Sequence, residues 1–169
     1  MEKPLALRLP VVSAGAEFLV MGHLMRRNIL AYKAPAFNEG YDLICIHPDP
    51  RHKCRKGEQA QVRVQVKSRY PTNATGFPIK ANSINAFDFL IIVFMNIGIK
   101  NRPGTGSPVE IYTFPRSFIR AHIKKESIIQ KVDVGTNRKW VERYKDEKGF
   151  ELIADVMKIE HPIRLPLEI

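Results

Sequence analysis

Residues 61–69 read Gln-Val-Arg-Val-Gln-Val-Lys-Ser-Arg. Val62, Val64 and Val66 alternate with Gln61, Arg63, Gln65, Lys67 and Arg69. Successive side chains of a strand point to opposite faces, so a period of two gives one apolar and one polar face. The stretch predicts a half-buried strand. Gln65 and Lys67 then project from its polar face, with Cα atoms roughly 6.5–7 Å apart.

Upstream, Tyr41-Asp42-Leu43-Ile44-Cys45-Ile46-His47 follows the turn residue Gly40 and predicts a second strand. Ile29–Ala34 is a shorter strand that Pro35 ends. Ser13 can cap a helix running to about Asn28, with Phe18, Met21, Leu24 and Met25 at helical spacing. Glu17 lies near its first turn, where a carboxylate suits the helix dipole. Pro48 to Gly57 is a basic loop with Arg51, His52, Lys53, Arg55 and Lys56.

Downstream, Pro71–Asn82 reads as a loop rich in Pro, Gly, Asn and Thr. Phe87–Met95 is apolar enough for a strand buried on both faces, and too short to span a bilayer. A turn-rich link leads to a strand over Val109–Phe114, and Pro115 can open a helix through about His122. Trp140, Val141 and Tyr144 recur at helical spacing within Asn137–Asp146, and Phe150–Met157 predicts a last helix. The order gives a mixed α/β domain over residues 1–169, with a core at about 13–123 and a helical extension at 124–169.

Lys and Arg number 27 against 17 acids, a formal net charge of +10. A field of that sign concentrates polyanions, and nucleic acid is the commonest such partner. No basic amphipathic helix argues for a membrane surface. Two cysteines, Cys45 and Cys54, make no disulfide framework, so a reducing cytoplasmic setting is expected. Pro4, Arg8 and Pro10 interrupt the N-terminal apolar stretch, which lacks a signal-peptide layout.

If the strands of Asp42 and Gln65 pair as a hairpin across the basic loop, Asp42 lies beside Gln65 and Lys67. Glu17, from the helix packed on the same sheet, is expected to complete the cluster. Magnesium takes oxygen ligands, one or two carboxylates plus water and substrate phosphate. Asp42 would be the main ligand and the Gln65 amide oxygen a neutral second one. Glu17 would hold a second ion or orient a metal-bound water. Lys67 would position the attacking water or offset transition-state charge in phosphodiester hydrolysis.

The runs Gly40-Tyr41-Asp42-Leu43 and Val64-Gln65-Val66-Lys67-Ser68 resemble the PD-(D/E)XK nuclease superfamily. The nearest pattern is its Gln-x-Lys branch, with Holliday-junction-resolvase-like and other nuclease-like domains. Phe87–Val93 and Ile111–Pro115 are similar to that family's later strand pair and helix entry. The resemblance covers about residues 13–123. It implies a restriction-endonuclease-like αβββαβ core, a central mixed sheet flanked by helices. It also implies Mg²⁺ (or Mn²⁺) and cleavage of duplex or branched DNA, with site roles for Glu17, Asp42, Gln65 and Lys67. Tyr41 stands where the pattern has Pro. Gln65 replaces the usual second acid, which weakens metal binding unless another ligand compensates.

Cleavage of two strands by one domain of this size implies a homodimer or higher homo-oligomer. Arg51, Lys53, Arg55, Lys56, Arg69, Lys124 and Lys125 are the expected phosphate contacts. A second reading keeps the same fold as a nucleic-acid-binding module without cleavage. Cys45, His47, His52 and Cys54 have the types for zinc, but one residue between each Cys and His is an unusual spacing. The sequence favours a buried Cys45, with His47 and His52 in the loop.

Overall fold

The computed structural model describes residues 10–35, 37–99, 102–123 and 129–160. Helix α1 spans Pro10–Arg26, followed by strands β1 (Leu30–Lys33), β2 (Leu43–Ile46) and β3 (Gln61–Pro71). Next come β4 (Gly76–Lys80), a 3₁₀ turn at Ala81–Ser83, β5 (Phe89–Gly98), β6 (Glu110–Pro115) and α2 (Arg116–His122). The chain continues through β7 (Ile129–Asp133), a 3₁₀ helix at Lys139–Tyr144 and α3 (Asp146–Met157).

The main sheet has the order β1-β2-β3-β5-β6. β3 and β5 run parallel, and the other neighbours are antiparallel. This is the expected mixed α/β architecture, a central mixed sheet flanked by helices. The link from β3 to β5 carries β4 and the 3₁₀ turn.

The alternation of β3 decides what covers each face. Val62, Val64 and Val66 join one core with Ala16, Val20 and Leu24 of α1 and Phe150, Ile153 and Met157 of α3. β5 is buried on both sides. Phe89, Ile91 and Val93 join that core, while Leu90, Ile92 and Phe94 face a second one. There they meet Phe77 and Ile79 of β4, Tyr112 and Phe114 of β6, and Phe118 of α2. Burial of side chains this size contributes about 1.5–3 kcal/mol each.

Four elements differ from the sequence reading, among them β7, a strand within the expected helical extension at 124–169. α1 begins at Pro10 rather than after a Ser13 cap, because the first turn needs no proline N–H. β4 lies within the expected loop and pairs antiparallel with β7 as a separate two-stranded sheet. α3 begins at Asp146, ahead of the expected Phe150, and has Asp146 and Glu147 in its first turn.

Asp88 ties the start of β5 to its neighbours. It accepts the Arg63 backbone N–H at 2.9 Å and the Arg63 guanidinium at 3.1 Å, and it also pairs with Arg116. Burial opposes its charge, but the bonds from Arg63 and the charge of Arg116 outweigh burial and hold the carboxyl below its ordinary value. Its contribution is therefore full above the unfolded value near pH 4 and is lost as pH falls through the lower folded value. Asp88→Asn is expected to cost about 2 kcal/mol at neutral pH. In urea titrations the gap from the native protein should close below about pH 4; a gap that stays constant with acidification would contradict this account.

Candidate metal and phosphate site

The β2–β3 hairpin builds the centre of the site. Leu43 pairs with Val64 and Ile46 with Gln61. One residue before β2, the Asp42 N–H donates to the Val64 carbonyl at 2.8 Å. The Asp42 carboxylate then takes the place of a backbone acceptor, and its Oδ2 accepts the Val66 N–H at 2.7 Å. Among the described residues its other oxygen has no hydrogen-bond partner.

Gln65 follows Val64 on the polar face of β3 and is only 6% exposed. Its Oε1 is buried without a hydrogen-bond partner among the described residues. An unpaired buried amide oxygen costs about 1–3 kcal/mol. Lys67 lies two residues further along the same face. Asp42, Gln65 and Lys67 line one open cleft of about 600 Å³. They lie on the sheet face away from α1, since α1 covers the Val62, Val64 and Val66 side.

Two short segments wall the cleft. One is the Asn38–Gly40 turn, held by Asn38 Nδ2 donating to the Tyr41 carbonyl at 2.7 Å. The other runs from Pro78 to Lys80 of β4 and on to Ala86. Gly40 joins them, with φ +99° and room for no side chain, because a Cβ there would sit 2.4 Å from the Ala86 Cβ.

Glu17 does not complete this cluster. It sits on α1, on the opposite face, and ion-pairs with Lys33 of β1. The helix packs on the expected sheet, but on the face opposite Asp42, Gln65 and Lys67. Glu39 of the turn lines the cleft instead, as does Lys80. Neither has a periodic signal. The adjacency of Glu39 to the Gly40-Tyr41-Asp42 run was the available clue.

The basic loop stands at the far end of the hairpin, four residues of rise from the Asp42–Gln65 row, roughly 13 Å. Arg51, Lys53, Arg55 and Lys56 are all exposed there, and Arg51 pairs with Asp49 at 3.1 Å. Arg69 is committed to the fold, because its Nε donates to the Gly76 carbonyl at 3.1 Å and its guanidinium lies over the Phe77 ring. Lys124 and Lys125 lie outside the described residues.

Cys45 is fully buried in the core under α1, and burial pushes its thiol up to about 12. Cys45 is thus buried as the sequence favours, and the alternative four-residue zinc set does not form. Among the described residues, no helix is long and apolar enough to cross a membrane.

The donor set suits a hard divalent cation. A carboxylate oxygen and an unpaired amide oxygen adjoin on the cleft floor, a carboxylate stands on the turn, and a lysine stands beside them.

No protein-family model matches this chain. No curated protein matches it. Among solved structures, it is similar to Hjc, a Holliday junction resolvase from the archaeal hyperthermophile Archaeoglobus fulgidus. The TM-score is 0.44 at 12% identity, over 86% of this chain and 95% of that one.

Proposed function

We propose that this chain is a divalent-metal-dependent DNA nuclease, with Asp42, Gln65 and Lys67 at its centre. The observation that carries the reading is the Gln65 amide oxygen, buried without a partner on the cleft floor beside Asp42. A cation ligated there satisfies that oxygen and matches the free oxygen of Asp42. Mg²⁺ is the ion proposed, since its ligands are oxygens and it keeps several waters; Mn²⁺ suits the same set.

When bound, the ion supplies Lewis acidity, neutralising phosphate charge and lowering the pKa of a bound water. The chain's own groups do the rest. Asp42 and Gln65 fix where the reacting phosphate sits. Lys67 donates to a phosphate oxygen and offsets the negative charge that grows there in the transition state. Lys80, on the facing wall, adds to the positive field. The net charge of +10 raises the local concentration of duplex or branched DNA. Cutting both strands takes two such clefts, so the active form is proposed to be a homodimer.

One observation favours a second reading, a binding module without cleavage. Gln65 is neutral and Glu17 is engaged with Lys33, so the cleft floor holds a single carboxylate, with Glu39 on the turn. A single experiment separates the two. Supercoiled plasmid and a four-way branched DNA are incubated with Mg²⁺, with Mn²⁺ and with EDTA. Cleavage is expected with either metal and not in EDTA. Asp42→Asn is expected to slow it about 10²-fold or more. The amide oxygen of that variant can still accept the Val66 N–H, so its melting temperature should change little. Salt-sensitive binding with no cleavage in any metal establishes the module. Undiminished cleavage by Asp42→Asn removes the cleft from the chemistry.

A further inference from the structure

We infer that the β2–β3 loop holds a second metal site, a zinc-class cation on His52, Cys54 and Glu58, separate from the cleft. The imidazole nitrogen, the thiol sulfur and the carboxylate oxygen all lie within 4.8 Å of one another. Two turns bring them together. The His52 N–H donates to the Asp49 carbonyl at 3.0 Å, and the Glu58 N–H donates to the Arg55 carbonyl at 3.0 Å. Pro48 and Pro50 stiffen the approach, since each fixes φ near −65°.

The donors are built rather than loose. The Glu58 side chain is only 9% exposed, and its Oε2 takes the Arg55 N–H at 2.9 Å and lies 3.1 Å from His52 Nε2. His52 stacks on His47 with 3.8 Å between ring centroids and 13° between planes. His47 Nδ1 lies 3.1 Å from the Asp49 backbone N–H. His47 is a stacked platform beside His52 and is not one of the three clustered donors.

Chemistry selects the ion class. One nitrogen, one sulfur and one oxygen donor suit Zn²⁺ or Co²⁺ and not Mg²⁺. Cys54 is exposed, so a fourth position opens to water. The surrounding Arg51, Lys53, Arg55 and Lys56 oppose an incoming cation, and the two anionic ligands, the Glu58 carboxylate and the bound Cys54 thiolate, offset them. On loading, the Cys54 proton leaves to solvent and His52 ligates through the ring nitrogen that carries no proton. Three coordinate bonds form, and nothing is oxidised or reduced. The ion then braces the loop that carries those four basic side chains.

Co²⁺ titration of the full chain, under a non-thiol reductant, tests this. A thiolate-to-cobalt charge-transfer band and tetrahedral visible bands are expected, displaced by Zn²⁺. Cys54→Ser should abolish the charge-transfer band, and His52→Ala should weaken binding about tenfold or more. Cys45→Ala and Asp42→Asn should leave the band unchanged, so the loop site stands or falls independently of the nuclease reading. Absence of the band, its survival in Cys54→Ser, or its loss in Asp42→Asn overturns the proposal.

Discussion

Lys67→Met is expected to slow DNA cleavage by about 10²–10³-fold under single-turnover conditions. The substitution keeps the aliphatic stem and removes only the ammonium. Lys67 lines the cleft with Asp42 and Gln65, and on β3 it pairs with Ile92 of β5. Its backbone lies within the longest strand of the sheet, so the geometry of the cleft floor should survive the change. The Tm and the low-salt DNA affinity should stay close to those of the native chain. A wild-type rate in the variant would remove Lys67 from the chemistry. A rate loss matched by a fall in Tm would instead mark it as structural.

The second large effect is on stability. Gly149→Ala is expected to cost about 3 kcal/mol, the upper part of the range for overpacking a filled interior. For a chain of this size that corresponds to a Tm lower by roughly 6–12 °C. A Cβ at Gly149 would sit 2.2 Å from the Tyr144 carbonyl oxygen and 3.0 Å from the Thr113 Cβ. The first contact is backbone, so no rotamer change relieves it. Gly15 and Gly22 of α1 give the opposite test, since nothing lies within 4 Å of a Cβ at either. There alanine should be neutral or stabilising by up to about 1 kcal/mol, because glycine is a poor helix former. Equal Tm values for the Gly149 and Gly22 variants would refute the packing argument.

These cases show what a sequence carries and what it hides. β3 and β5 were legible because local pattern reports burial directly. Valines alternate where one face is covered, and a continuous apolar run marks a strand covered on both faces. The hairpin that sets Asp42 beside Gln65 was legible because it joins neighbouring segments. Glu17 was misread because its spacing along α1 says nothing of which sheet face the helix will cover. β4 was hidden by its own composition, Gly-Phe-Pro-Ile-Lys, which reads as a turn. Its partner β7 is distant in sequence, and Pro78, opposite Lys131, sits on a two-stranded ladder where a missing donor is tolerated. Gly149 lies just outside the helix expected from Phe150, yet it is inside the first turn of α3, kept small by Tyr144.

The pairing of β4 with β7 has a consequence for the order in which the molecule is made. Pro78, Ile79 and Lys80 supply one side of the cleft, and their strand pairs with Ile129–Asp133. A chain emerging from the ribosome can form the β2–β3 hairpin early, since both strands are adjacent. The wall opposite Lys67 has no partner until the later strand has been synthesised. A nascent chain thus carries Asp42, Gln65 and Lys67 well before the cleft around them is walled.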